Sequence, residues 1–410
     1  MKKFMLSAAA FCALPGWSTA VVDNVAFSQV ANDRRVIVTY TIDEPAIVTV
    51  DVQTNRGDGV FVSIGDKNVR GFVGEVNKLV TKVNEPVTLT WRPDFTWGWG
   101  GRIEGENAKV VVTAWATNAP PDYMVVNILD PDEVRYYVSA EALPYDVTND
   151  VYKTDYLVMR RIHAAGRPFR MGSTKLENEK GWYEGFSGVG TYDQGEVRMA
   201  TLTDDYYIGI YEFTIGQWMR LVKKTTASGG AWSNAVRPVP GVKHDVIRGG
   251  TADGIDWPTT GDKVKTDSPI DEIRKALGLM LDLPTEAQWE YACRAGTSTA
   301  VYGPEHTEEF IAENGWYRTH PKANNNTSWN DVYVGAFKSN PWGLYDMLGG
   351  QWEWCLDGIE NGYRVARSGG WNIWWQRITS SVRLEKDPNK ADNTFGFRLV
   401  APCIAPYKTK

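Results

Sequence analysis

The chain has 410 residues, a formal net charge of −6, and 43% hydrophobic against 23% charged residues, enough for two or three domains with packed cores. A mildly acidic chain without basic runs argues against a nucleic-acid partner. Four cysteines are too few for a disulfide framework, so apolar burial has to supply most of the stability.

The first twenty residues, MKKFMLSAAAFCALPGWSTA, combine Lys2 and Lys3, an apolar run from Phe4 to Leu14, and small residues at Ser18-Thr19-Ala20. That is the pattern of a secretory leader, and the apolar run is too short to span a membrane. The expectation is export (periplasmic, cell-surface or secreted) with cleavage after Ala20. Cleavage would take the charge from −6 to −8 and remove Cys12. Cys293, Cys355 and Cys403 would remain, allowing at most one internal disulfide of unassigned pairing. No later stretch reaches spanning length.

From 21 to 127 the pattern is one of strands. Val36 to Ile42 and Ala46 to Val52 are β-branched runs parted by Asp43-Glu44-Pro45, and further runs follow at Gly59 to Ile64, Pro86 to Trp91 and Ala108 to Trp115. Short, regularly spaced strands predict an all-β sandwich of immunoglobulin or fibronectin III style. Trp97-Gly98-Trp99-Gly100-Gly101 reads as a turn-rich aromatic patch, with packing against the neighbouring domain preferred over contact with a ligand. Ala119-Pro120-Pro121-Asp122 and Asp130-Pro131-Asp132-Glu133 are boundary material. They predict a linker and lead-in strand over 128–160, then a second domain over 161–406.

That second domain is read as α+β and loop-rich. Thr214-Ile215-Gly216-Gln217 and Thr285-Glu286-Ala287-Gln288 are capping boxes, in which a hydroxyl and an amide satisfy each other's orphan backbone donors. Trp218, Leu221 and Val222 follow the first at helical spacing. Ser268-Pro269 opens another helix, with proline where its missing N–H is harmless, and Gly296 is placed to end the helix begun at Thr285. Residues 225 to 267 lack periodicity and read as a long excursion. Between Trp342 and Trp375 lie six tryptophans among glycines, with Arg364, Arg367, Arg377 and Arg383. Such density marks a loop-rich core or an aromatic binding face.

Met171-Gly172-Ser173, YYIGIYEFTIGQW (206–218), LPTEAQWEYACRAG (283–296), NPWGLYDMLGGQWEW (340–354), YRVARSGGWN (363–372) and FGFRLV (395–400) stand in this order along the chain. Together they resemble the formylglycine-generating enzyme, or sulfatase-modifying factor, domain. The resemblance covers about 165 to 402 and leaves out the N-terminal strands. It implies a C-type-lectin-like fold and, in active members, oxidation of a sulfatase cysteine by oxygen on copper held by two cysteines five residues apart. Soft thiolates suit Cu(I). Aligned on Trp371-Asn372, those positions hold Ile373 and Ile378; aligned on the glycines, they hold Trp374 and Thr379. Neither register supplies a thiol, so copper is not expected and no catalytic residue is assigned.

The resemblance also implies structural calcium. Its Gly-Asn-Val-Trp-Glu-Trp pattern reads here Gly349-Gly350-Gln351-Trp352-Glu353-Trp354, keeping Glu353 but losing the asparagine oxygen at Gly350. Since calcium takes six to eight oxygens, Glu353 is a weak metal candidate, with Asp346 and Asp357 as compensating ligands or turn residues. His163, His244, His306 and His320 show no paired metal spacing. Glu286 and Glu290 are assigned to helix-terminus electrostatics, Asn324 to Ser328 to a solvated loop tip, and Arg383 and Arg398 to internal pairing. Ser380 and Ser381 have no nearby base.

The remaining candidate surface is Trp371, Asn372, Trp374, Trp375, Gln376 and Arg377, which in the resembling enzymes floors the substrate groove. Adjacent tryptophans on a non-helical segment point different ways, so no more than one faces a groove. A tryptophan beside Arg and Gln suits a sugar ring or an extended peptide; the alternative is that both rings fill space left by the lost thiols. The expectation is an exported peptide- or glycan-binding module without copper-dependent oxidase activity. The alternatives are an active formylglycine-generating oxidoreductase with a non-standard site, or a structural surface-assembly protein.

Overall fold

The computed structural model describes residues 20–30, 33–98, 103, 105–173, 196–222, 234–249, 264–323, 326–359 and 362–403. The expected leader before Ala20, Trp99 to Gly101, Asn324-Asn325 and most of the 225–267 excursion lie outside the described residues. Two compact units emerge. The first comprises residues up to 125, 134–149 and Cys403; the second comprises 126–133 and 150–402. Among the described residues no helix is long and apolar enough to cross a membrane.

The first unit holds β1 (Val22–Gln29), β2 (Val36–Ile42), β3 (Ala46–Asn55), β4 (Phe61–Ser63), β5 (Val73–Gly74), β6 (Lys78–Val80), β7 (Val87–Trp91), the short helix α1 (Pro93–Thr96) and β8 (Ala108–Trp115). The order β1-β2-β7-β5 makes one sheet, and β3 pairs antiparallel with β4, β6 and β8 in another. The strict alternation of buried residues in β2 follows from its two-residue period. Val36, Val38, Tyr40 and Ile42 turn inward to meet Val48, Val52, Val110 and Val112 of the other sheet in one core. Trp91 anchors that core, stacked on Phe72 at 5.3 Å. Trp97 packs at its margin.

β9 (Tyr123–Asn127) and β10 (Val134–Tyr137), the latter in the first unit, follow, then α2 (Val151–Thr154) and β11 (Tyr156–Ile162), so 128–160, read as a linker and lead-in strand, carries β10 and α2 besides the start of β11. The second unit continues with β12 (Pro168–Met171), β13 (Arg198–Thr201), β14 (Tyr206–Gly209), α3 (Ile215–Leu221), α4 (His244–Arg248), α5 (Pro269–Leu277), α6 (Glu286–Arg294) and α7 (Glu308–Asn314). It closes with β15 (Trp352–Gly358), β16 (Arg364–Arg367), β17 (Arg383–Lys386), β18 (Phe395–Gly396) and β19 (Val400–Pro402). β11, β14 and β19 pair antiparallel. A second sheet runs β17-β16-β15-β18, with β18 parallel to β15.

Both capping boxes form as expected, and Ser268 caps α5 behind Pro269. The end of α6 differs from the expectation. Ala295, not Gly296, is the left-handed cap (φ 46°), and Gly296 continues the turn at φ 89°. Helix α4 lies inside the excursion and is too short to show a period.

Candidate functional site

The site grows from a zipper between two glycine-rich turns. The N–H of Gly349 bonds to Ser368 O at 3.1 Å, that of Trp371 to Gly350 O at 2.6 Å, and that of Gly350 to Trp316 O at 3.1 Å. Gly349 has φ 81°, and a Cβ there would sit 2.0 Å from Trp316 O. Only glycine allows both the left-handed backbone and this close approach. Ser368 Oγ closes the turn by donating to Gly349 O at 2.8 Å.

Beyond the zipper, Ile373 and Ile378 converge. A Cβ on Gly369 would lie 2.9 Å from Ile373 Cδ1 and 3.4 Å from Ile378 Cγ1, and both isoleucines are buried. These are the positions reached by the Trp371-Asn372 register. In the other register Trp374 is half-buried and Thr379 hydrogen-bonds to Ser381 Oγ at 3.3 Å. Two ligands of one ion must face one point, so the convergence favours the first register. Aliphatic carbons offer copper no donor.

The remaining thiols do not replace them. Cys293, Cys355 and Cys403 are buried and free of disulfides. Cys293 Sγ donates to Met347 O at 3.3 Å. Burial pushes its thiol up to about 12 and that of Cys355 well above the usual range, so both stay protonated. Copper does not fit this donor set.

The candidate face is divided. Trp371 is half-buried and packs with Trp329 on a cluster of Trp316, Val332 and Phe337, its Nε1–H donating to Asn393 O at 3.4 Å. Asn372 is exposed, while Trp374, Trp375, Gln376 and Arg377 are half-buried. As expected for adjacent residues, the two indoles part company. Trp374 lies under the Arg318 guanidinium, 5.2 Å from its ring centre, whereas Trp375 meets the edge of His306 at 5.5 Å. Residues 316–323 and 326–337 and Arg237 complete this face, and sequence reasoning missed them. Their only signal is aromatic and cationic residues side by side, as in Trp316-Tyr317-Arg318, on a segment without periodicity.

The other candidates fall into the framework. Among the described residues no group of three His, Cys, Asp or Glu side chains is arranged to hold a metal ion. Glu353 is fully buried, takes the Arg398 guanidinium on both oxygens at 2.6 and 2.7 Å, and accepts Trp289 Nε1–H at 2.7 Å. Its lone pairs thus face an arginine where calcium would have to sit. Gly335 N–H occupies Asp346 at 2.6 Å, and Glu286 N–H occupies Asp357 at 2.5 Å. Glu286 and Glu290 form an ion network with Arg367, Arg383 and Arg294. Glu286 stands in the first turn of α6, as the helix-terminus reading expects, and the structure adds arginines from β16 and β17 that reach both carboxylates. Arg383 and Arg398 pair internally as expected. Ser381 bonds to Ser173, Ser380 is buried, and Thr327 and Ser328 bond to Tyr317 O and Asp331. The histidines scatter: His163 beside Asp205, His244 against Trp354, His306 on Trp375, His320 on Trp316.

One titratable cluster bears on stability. Glu212, Asp346 and Glu353 share Arg398 as counter-charge, with Lys153 farther off. Burial, reinforced by neighbouring carboxylates, drives the Glu212 carboxyl well above its usual range, and burial lifts Asp346 to about 6. Unfolded carboxyls ionise near pH 4. From there to about pH 6 the folded chain binds more protons than the unfolded one, so stability falls as pH rises through that window. Asp346→Asn keeps the acceptor for Gly335 and tolerates φ 57°. Between pH 4.5 and 6.5 the wild type is expected to lose on the order of 1 to 3 kcal/mol more than this variant, read as thermal midpoint against pH. Parallel curves would refute it.

The family described as a sulfatase-modifying factor enzyme 1-like domain matches residues 160–402. The formylglycine-generating enzyme of Mycobacterium tuberculosis (strain ATCC 25618 / H37Rv) is 43% identical over 88 residues, 20% of this chain and 29% of its own. The inactive C-alpha-formylglycine-generating enzyme 2 of Bos taurus is 31% identical over 135 residues, 30% of this chain and 45% of its own. The matches thus span less than half the length of either curated relative. The structure of PvdO from Pseudomonas aeruginosa aligns over 60% of this chain and 94% of its own, at 20% identity and a TM-score of 0.46.

Proposed function

The chain belongs to the sulfatase-modifying factor enzyme 1-like family, and from that premise we propose that its second unit is a binding module without copper-dependent oxidase chemistry. The observation that carries this reading is the convergence of Ile373 and Ile378 where active members place two thiols. An apolar plug in that position keeps the fold of the groove and removes the metal donors. A relative whose name declares it inactive fits a family that uses this scaffold without the reaction. What remains at the groove is an aromatic and cationic surface around Trp371 and Trp374, suited to an extended peptide or a glycan. The leader-like first twenty residues support an exported location for this module.

The test is a titration of a panel of extended peptides and oligosaccharides against the full chain, alongside Trp371→Ala and Trp374→Ala. Losing one stacked indole is expected to weaken the bound ligand about tenfold. Each variant is first checked for an unchanged thermal midpoint. Binding indifferent to both substitutions would remove the groove from the account.

A further inference from the structure

The aromatic face carries its own cations. The Arg318 guanidinium lies 5.2 Å from the Trp374 ring centre and the Lys322 ammonium 4.4 Å from that of Phe337. Arg237 lies 5.1 Å from Tyr333 and 6.0 Å from Trp329. Trp329, Phe337 and Trp371 belong to one packed cluster, and the Arg318 N–H bonds to Ile373 O at 2.8 Å. The exposed Arg318 and Lys322 therefore border one surface, while Arg237 is buried.

They differ from four buried arginines of this unit. Arg248, Arg294, Arg367 and Arg398 are buried, and each meets a carboxylate. Among the described residues, Arg237, Arg318 and Lys322 meet none. Arg237 is the clearest case at 8% exposed. Its terminal nitrogens donate to Asn330 and to the Tyr333 hydroxyl, while its buried Nε–H has no acceptor. A desolvated guanidinium without an anion is unfavourable, and the exposed Arg318 and Lys322 likewise meet no carboxylate among the described residues of a chain of net charge −6.

Resting on the groove reading above, we propose that this surface takes an extended acidic peptide whose carboxylates pair with the exposed Arg318 and Lys322. The rings under Arg318 and Lys322 have a face covered by a cation and are less open to a pyranose. What they present instead is a row of charged donors, the chemistry that reads carboxylates along a flexible chain. The acidic surroundings repel such a peptide at long range, so contact is made locally and is sensitive to salt.

The experiment is fluorescence anisotropy on the full chain with three labelled peptides of equal length, identical except for Glu, Gln or Lys at alternate positions, and with a sulfated oligosaccharide as a fourth ligand. The Glu peptide is expected to bind at least tenfold tighter than the Gln and Lys peptides at low salt, and to weaken as salt rises. Arg318→Glu/Lys322→Glu changes two exposed side chains, and is expected to abolish that preference while leaving the circular dichroism unchanged. Equal binding of Glu and Gln peptides would overturn the acidic-peptide assignment and leave the groove reading standing. Preference for the oligosaccharide would overturn it in favour of a glycan. No binding of any of the four would remove this inference, and failure of the wider panel as well would remove the groove reading.

Discussion

Replacing Arg398 by alanine is expected to cost about 3 to 5 kcal/mol, the loss typical of breaking a buried ion pair from one side. Arg398 is fully buried. Besides the two oxygens of Glu353, it donates to Gly209 O at 3.1 Å and Tyr345 O at 2.9 Å, tying β14 and the 340s turn to β15. Without it Glu353 keeps only Trp289 Nε1–H, and Glu212 and Asp346 lose their nearest counter-charge. Against the 5 to 15 kcal/mol that holds an ordinary domain together, that loss can unfold the unit at moderate temperature. The measurement is urea unfolding followed by tryptophan fluorescence, reading the transition of the second unit. Arg398→Met combined with Glu353→Gln keeps an acceptor for Trp289 and removes the orphaned charge, so the double variant is expected to be more stable than the single one. A single variant within about 1 kcal/mol of wild type, the value of an exposed pair, would contradict this account of the buried network.

The second large effect is a gain. Ile373→Cys/Ile378→Cys places two thiols where the two isoleucines now meet, and soft paired thiolates select Cu(I). The double variant is expected to take up one equivalent of Cu(I) in competition with a chromophoric chelator, under conditions where the wild type takes up none. Each substitution also removes apolar volume from a packed site, at about 1 to 2 kcal/mol apiece, so the thermal midpoint should fall without metal and recover with it. Failure of a folded double variant to bind Cu(I) would mean that the two side chains do not face a common point.

What the sequence made legible was what is local. A capping box needs only four consecutive residues, so the starts of α3 and α6 could be read directly. The alternation of β2 likewise follows from one short run. The ordered motifs carried the family because they recur as a set over more than two hundred residues. The ion networks were not legible, since Glu286 meets Arg367 across 81 positions and Arg398 meets Glu353 across 45. Spacing therefore placed Glu286 in the first turn of its helix, where it stands, but could not show the network that it and Glu290 join.

The candidate site was half legible for the same reason. Trp371 to Arg377 stood out by composition, but the floor beneath Trp371 comes from Trp316, Phe337 and Val332. The cations that meet no carboxylate among the described residues come from Arg237, Arg318 and Lys322. Only the fold brings these separate stretches together. Gly349 shows the limit most sharply. It reads as an ordinary turn glycine, yet its requirement is set by a carbonyl 33 residues upstream, at Trp316.

The central claim is that this family member has kept the groove and lost the metal. It is tested most directly by metal analysis of the purified wild-type chain after incubation with copper, run beside turnover of a cysteine-containing sulfatase-motif peptide under oxygen. The account predicts no stoichiometric copper and no conversion of the cysteine. One bound copper per chain together with formylglycine in the peptide would contradict it.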